Sequence, residues 1–394
     1  MDPRKNPYTP GAGAKPPDLT GRDDIIERIS IALDRLRAGR SSRSVVLYGL
    51  RGVGKTVLLN TMRRDAEARG VATAMIEAPE GRSLPALLVP TLRAALLKLS
   101  HGEALRDKLK RSMQALAGFA KALKVKYGDI EVGVEFPAEP GLADSGDLEF
   151  DLVDLFAAVG AAAAERKTAF AFFIDELQYV EKRQLAALIS ALHRSGQDNA
   201  PVTMVAAGLP QLLGRTGDAK SYAERLFEFV EIGRLDEAAA RAALAGPAEA
   251  AGASYTDEAL AAILRDTGRY PYFLQEWGKH AWDVALKSPI DAKDATTASK
   301  LSIAELDESF FRVRFDRVTP NERRYLRAMA ELGPGAHRSG DIAQALGRPV
   351  TSVAPTRTAL IRKGMIYSGA HGDTAFTAPL FDGFMKRVMP TLNS

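Results

Sequence analysis

A chain of 394 residues has room for two or three domains with real cores, and a hydrophobic content of 46% excludes a disordered protein. The absence of cysteine excludes disulfide staples, cysteine-ligated zinc and thiol catalysis, and fits a reducing cytoplasm. Net charge is only +4, but residues 310–394 carry 13 Lys+Arg against 6 Asp+Glu, which leaves residues 1–309 at −3; a basic C-terminal module suggests a polyanionic partner, or simply a solvated arginine-rich face.

Residues 1–17 are rich in Pro and Gly, have no apolar h-region of a signal peptide, and read as an arm and not a folded element. Residues 23–37 (DDIIERISIALDRLR) space Ile and Leu along one helical face. A β-rich run at 44–48 leads into a glycine-rich loop and a helix from 54 to about 69. A second strand follows at 71–77, and 84–123 reads as one or two helices. Residues 124–136 (KVKYGDIEVGVEF) alternate with period two around Gly128-Asp129, which predicts an inserted β-hairpin. Helices at 151–164 and 183–195 alternate with strands at 169–175, 202–207 and 229–232. That alternation predicts a parallel sheet covered on both faces. The apolar stretches at 156–164 and 169–174 are interrupted by Glu165, Arg166 and Lys167, and neither is long enough to span a bilayer.

From 235 to about 298 the pattern is helical and Ala-rich. From 310 the chain parses as helix, helix, helix and hairpin: 321–332 with Thr319 as cap and Pro320 in the first turn, then SGDIAQALG, then 351–363, then a hairpin turning near His371-Gly372.

Gly49-Leu50-Arg51-Gly52-Val53-Gly54-Lys55-Thr56 fits G-x-x-x-x-G-K-[ST] between an apolar strand and a helix. Such glycines let backbone N–H groups curl around an anion at the positive end of the helix. Lys55 is expected to reach the β- and γ-phosphates of ATP, and the Thr56 hydroxyl to ligate Mg²⁺. The loop needs an acidic partner on a neighbouring strand, and AFAFFIDELQYV supplies it. Asp175 would hold Mg²⁺ through water, and Glu176 would orient or deprotonate an attacking water.

Together these residues resemble the AAA+ ATPases, more narrowly the branch of archaeal-type ATPases, signalling STAND NTPases and origin-recognition proteins. The resemblance covers nearly the whole chain. LTGRDDIIERI, with Gly21 and Arg22, looks like the Gly-Arg box beside the adenine pocket. YAERLFEFVEIGRLDEAAARAAL offers Arg225 as a finger acting on a neighbouring subunit; Arg215 is a rival, and a plain surface arginine is the alternative. TGRYPYFLQEWGKHAW resembles the segment opening a lid helix, where Gly268 and Pro271 fit and Arg269 is a sensor candidate. Tyr270, Tyr272 and Phe273 are lid core or an adenine platform, and Trp277 and Trp282 are core. One departure stands out. The strand end Ala206-Ala207-Gly208 offers no polar group to sense a γ-phosphate, with Gln178 and His193 as weak substitutes, which implies secure nucleotide holding and slow hydrolysis.

The C-terminal pattern resembles a winged helix-turn-helix. Arg357, Arg362 and Lys363 on its third helix are the candidates for double-stranded DNA. Protein contact or autoinhibition is the alternative use. The expected architecture is an N-terminal arm (1–18), an α/β P-loop core of AAA+ type (19–234), an all-α lid (235–309) and a winged-helix domain (310–394). The expected protein is cytoplasmic, binds ATP, ADP and Mg²⁺, and exposes no membrane segment. A homo-oligomer follows if the finger acts between subunits.

Overall fold

Five short apolar runs become one parallel sheet. The computed structural model describes every residue except 12, 14–18, 100–106, 128–129, 132–135, 370–371 and 393–394. In chain order the core comprises α1 (Asp23–Arg37), β1 (Ser44–Tyr48), α2 (Lys55–Ala68), β2 (Ala72–Glu77), α3 (Leu84–Leu99) and α4 (Asp107–Ala122). It continues with β3 (Lys126–Tyr127), β4 (Ile130–Glu131), α5 (Leu148–Glu165), β5 (Phe170–Asp175), α6 (Lys182–Gln197), β6 (Val202–Gly208), α7 (Leu212–Ala219), α8 (Ala223–Leu226) and β7 (Phe227–Glu231). The strand order is β2-β5-β6-β1-β7, with every pairing parallel. β3 and β4 pair antiparallel, Lys126 opposite Glu131 and Tyr127 opposite Ile130. The Gly128-Asp129 turn and residues 132–135 of the expected hairpin lie outside the described residues.

The sheet corrects one expectation. β6 lies between the loop-bearing strand β1 and the acidic strand β5, so Asp175 sits two strands from the loop and not on an adjacent one. All six residues of β5 are buried, and their period-two alternation feeds two cores. Phe170, Phe172 and Ile174 join Val46 and Phe156 on one face. Ala171 and Phe173 join Leu47 and Leu58 on the other.

Helices then take over: α9 (Glu237–Ala250), α10 (Asp257–Thr267), α11 (Pro271–Val284) and α12 (Ala292–Leu306), followed by a π-turn (Asp307–Phe311) and α13 (Arg312–Phe315). Three of these helices have side-chain caps, by Asp236 on α9, Thr256 on α10 and an Asp291/Asp294 capping box on α12. The C-terminal unit comprises α14 (Pro320–Leu332), β8 (His337–Arg338), α15 (Ser339–Ala345), α16 (Val350–Arg362), β9 (Ile366–Tyr367), β10 (Asp373–Phe376) and α17 (Phe381–Val388). Thr319 and Glu322 close a capping box at the start of α14, where Pro320 occupies the first turn. The three short strands form one sheet in the order β8-β10-β9.

The helical unit and the C-terminal unit share one apolar core. Trp277, Phe273 and Leu274 belong to the same cluster as Phe311, Phe376, Phe381 and Phe384. Truncating the fully buried Trp277 to Ala would cost about 3–5 kcal/mol by the usual large-to-small rule.

The first residues also differ from expectation. Residues 1–9 are packed on the helical unit and are not a free arm. Tyr8 is 4% exposed, its hydroxyl donates to the Leu244 carbonyl, and its ring fills the space that Gly278 leaves open. Asn6 donates to the Lys279 carbonyl at 3.0 Å, and the Trp282 indole donates to the Asp2 carbonyl at 3.0 Å. Composition suggests an arm and not a folded element because a single aromatic anchor hardly alters Pro/Gly statistics.

Candidate nucleotide-binding site

The loop between β1 and α2 is shaped by its glycines. Gly52 and Gly54 have φ of +79° and +88°, and Gly54 caps the helix that Lys55 begins, so the free N–H groups of the first turn of α2 face the loop. Gly49 is needed for close approach, because a Cβ there would lie 2.0 Å from the Ile232 carbonyl oxygen. Lys55 Nζ donates to the carbonyls of Gly49 and Leu50 at 2.9 and 2.8 Å, which holds the loop curled. Burial lowers the Lys55 pKa to about 8, against the pull of Glu176 and Asp175.

Across β6, Thr56 Oγ1 donates to Asp175 Oδ2 at 2.6 Å. The other carboxylate oxygen accepts the Glu176 N–H at 2.8 Å. Burial raises the Asp175 carboxyl above the ordinary aspartate range, with the Thr56 hydrogen bond opposing. A hydroxyl and a carboxylate in contact beside a helix N-terminus are hard oxygen donors, which suit Mg²⁺. The residues present therefore fit a nucleoside triphosphate and its magnesium.

Glu176 has φ of +54°, a left-handed conformation that is strained for a residue with a side chain. Two groups hold its carboxylate: the Gln178 amide donates to Oε2, and Arg51 Nη1 lies 3.6 Å from Oε1. Gln178 is 3% exposed and also accepts the Leu209 N–H at 3.0 Å, just past the end of β6. A Cβ on Gly208 would lie 2.4 Å from Gln178 Oε1, so the amide of Gln178 occupies the space the apolar strand end leaves. His193 is elsewhere, on α6 with its ring 4.6 Å from that of Tyr222.

Arg51 occupies one of the unspecified positions of the loop motif. In the structure its guanidinium donates to Tyr179 Oη at 2.9 Å and approaches Glu176, and its backbone N–H donates to the carbonyl of Thr377 at 2.8 Å. Only the charge of Arg51 was visible in the sequence; its partner Thr377, at the far end of the chain, was not.

The helical unit closes on the same loop. Pro271 is the first residue of α11, and the Tyr272 N–H donates to the Gly52 carbonyl at 3.1 Å. A Cβ on Gly52 would meet Tyr272 Cβ at 3.2 Å. The Tyr272 ring stacks on Phe310 at 5.1 Å, while Phe273 and Trp277 are fully buried core. Gly268 ends α10 in the left-handed conformation, and Arg269 follows with φ of +64°. Arg22 donates to the Gly233 carbonyl, and Gly21 packs against Ala239, so this pair ties α1 to the segment entering α9.

Arg225 lies exposed at the end of α8, whereas Arg215 donates to the Val180 carbonyl at 2.7 Å. On α16 and its C-cap the three basic candidates part company. Arg357 is bound to Thr374 Oγ1 and Ser368 Oγ, both at 2.9 Å, and to the Asp373 carbonyl, so it fastens the helix to the hairpin. Lys363 pairs with Glu322 at 2.7 Å. Arg362 remains exposed. One described cluster elsewhere has metal-ligand chemistry, Glu276, His280 and Glu305, but the Lys279 ammonium 3.0 Å from Glu305 already supplies it with a counter-charge.

A model of the AAA ATPase domain matches residues 18–205, and a model of a domain of unknown function (DUF8462) matches residues 308–385. No curated protein matches the sequence. Among solved structures, the Walker-type ATPase PABY2304 of Pyrococcus abyssi superposes with a TM-score of 0.60 at 15% identity, covering 94% of this chain and 97% of that one; this likeness shows the fold. Looser matches are the Holliday junction branch migration motor RuvB of Thermotoga maritima (TM-score 0.44, 14% identity, 92% and 96% covered) and the ORC1 protein of Aeropyrum pernix in complex with DNA (TM-score 0.45, 16% identity, 94% and 94% covered). No helix among the described residues is long and apolar enough to cross a membrane. The parallel-sheet core, with its glycine-rich loop and acidic strand end, is similar to the AAA ATPase domain in sequence and to the Pyrococcus Walker-type ATPase in fold.

Proposed function

We propose that the protein is an ATP- and Mg²⁺-binding switch in which the helical unit is the lid and the C-terminal unit is the output. The Thr56–Asp175 hydrogen bond carries this reading, because it joins the metal-ligating hydroxyl of one strand–loop–helix unit to the acidic end of another strand. In this reading the N–H groups of Gly52, Val53, Gly54, Lys55 and Thr56 cradle phosphate, with Gly49 providing the close turn. Lys55 pairs with the terminal phosphates. Magnesium would neutralise phosphate charge, held by Thr56 and, through water, by Asp175. Glu176 orients water for hydrolysis, and Gly21, Arg22 and Pro271 border the base at the hinge between core and lid.

The switch reading is supported by the route from the loop to the C-terminal unit. Tyr272 caps Gly52 and stacks on Phe310. Phe310 meets Phe311 at 5.2 Å, and Phe311 meets Phe381 at 5.7 Å, inside the C-terminal unit. A tilt of the lid on phosphate binding therefore moves the packed core that both units share.

For the output, three helices with a small sheet support a winged-helix reading and action on double-stranded DNA through Arg362. The alternative, a signalling or defence switch whose C-terminal unit contacts protein, is favoured by the internal engagement of Arg357 and Lys363. Titration of duplex DNA against the full chain with ATP, with ADP and without nucleotide separates them. Nucleotide-dependent binding that weakens steeply with salt supports DNA action, and its absence under all three conditions supports the protein-contact reading.

A further inference from the structure

The end of β6 carries no charge for a γ-phosphate to meet, yet a cation from a distant part of the chain lies within electrostatic reach of Arg51 and Glu176. α12 does not run straight into α13: the π-turn Asp307–Phe311 widens the helix there, anchored by Arg387, which grips both oxygens of Asp307 at 2.6 and 2.7 Å. Wide turns of this kind recur at functional sites. Here the turn carries Phe310, and the short α13 that follows carries Arg314. Phe310 lands on Tyr272, which itself sits on Gly52 of the loop. Arg314 folds back over Phe310, its guanidinium carbon 3.8 Å from the ring centroid and one of its N–H groups on the Phe310 carbonyl.

Arg314 is half-buried, and among the described residues no carboxylate forms an ion pair with it. The charges that act on it are those of the nucleotide site: Arg51 opposes its protonation, while Glu176, Tyr179 and Tyr272 favour it. Burial and Arg51 lower its pKa to about 10. Glu176 is already engaged by Arg51 and Gln178. Lys55 and Arg51 thus face Asp175 and Glu176, and Arg314 adds a further cation within reach of Arg51 and Glu176. A cation held in this way, stacked on an aromatic face and without a counter-ion, is predisposed toward an anion.

We propose that Arg314 reads the γ-phosphate in cis, delivering a second guanidinium beside Arg51 from the junction between the lid and the C-terminal unit. The inference rests on the reading of the loop as an ATP site. It makes the junction itself the sensor: the residue that distinguishes ATP from ADP lies on the helix that leads into the output unit.

The test is a titration of the full chain with fluorescent ADP and with a fluorescent non-hydrolysable ATP analogue, both with Mg²⁺. It compares wild type, Arg314→Met, which keeps the stem over Phe310 and loses the charge, and Arg314→Lys, which restores a charge. The expected result is ADP affinity within about twofold of wild type for all three, ATP-analogue affinity about tenfold weaker for Arg314→Met, and partial recovery in Arg314→Lys. Equal losses for the two nucleotides, or no loss for either, would overturn the inference while leaving the ATP site standing. A wild-type chain that binds neither nucleotide would overturn the ATP site and the inference together. If Arg314→Met does not fold, Arg314→Gln gives the same comparison.

Discussion

The backbone N–H of Arg51, inside the P-loop, donates to the carbonyl of Thr377 in the C-terminal unit at 2.8 Å. Next to this bond, Gly364 packs so closely that a Cβ would lie 2.9 Å from Tyr179 Oη and 3.2 Å from Arg51 Nη2, at a φ of +63°. Phosphate loop, acidic strand end and C-terminal unit therefore meet at one contact.

Gly364→Val tests that contact. The side chain collides with Tyr179 and Arg51, and the left-handed backbone resists a β-branched residue. We expect bound ADP to leave at least severalfold faster in a stopped-flow chase, with the helical content unchanged. An unchanged release rate in a folded variant would show that the contact does not guard the site.

The pH dependence of nucleotide affinity follows from Lys55. Its pKa in the free protein is about 8, and a phosphate partner raises it in the complex. Binding therefore takes up protons around and above pH 8. ATP affinity is expected to be flat below that range and to fall as pH rises through it. Calorimetry in buffers of different ionisation enthalpy reads the proton uptake directly, and zero uptake at pH 8.5 would contradict the assignment.

The core strands and the loop were legible because both signals are local. FAFFID is apolar at every position, and the Gly/Lys/Thr spacing is fixed by the geometry of an anion cradle. The strand order was not legible, since nothing in β5 or β6 records which one lies beside β1. Nor was the docking of Tyr8, which one aromatic ring achieves against Gly278 on the far side of the sequence. The C-terminal helices were readable from the Thr319 cap and the hydrophobic spacing. The use of Arg357 was not, because its partners Ser368, Asp373 and Thr374 lie in a hairpin whose register a sequence does not display. Arg51 and Arg314 belong to the same class: their chemistry depends on neighbours brought together by tertiary packing.

Glu176→Gln keeps the shape of the side chain and removes the base. The variant should retain ATP and lose turnover, by about 10²-fold or more where hydrolysis depends on general-base help. A variant that hydrolyses at the wild-type rate would remove Glu176 from that role.

Arg225→Ala concerns assembly. If the exposed Arg225 completes a neighbour's site, ATP affinity stays nearly intact and turnover drops. Mixing with Lys55→Ala then restores part of the activity, because an Arg225-lacking subunit with an intact loop receives the finger from its neighbour. Restoration should rise with protein concentration, and turnover per chain that is independent of concentration would count against it.

The most direct measurement is ATP binding by full-length wild type and Lys55→Ala with Mg²⁺, read by equilibrium titration alongside thermal melts. Lys55 contributes charge and two hydrogen bonds to Gly49 and Leu50, so its loss should cost about 1–2 kcal/mol of stability and leave the chain folded. The P-loop account predicts saturable ATP binding by wild type and none by the folded variant. Equal ATP affinity in the two proteins would contradict it.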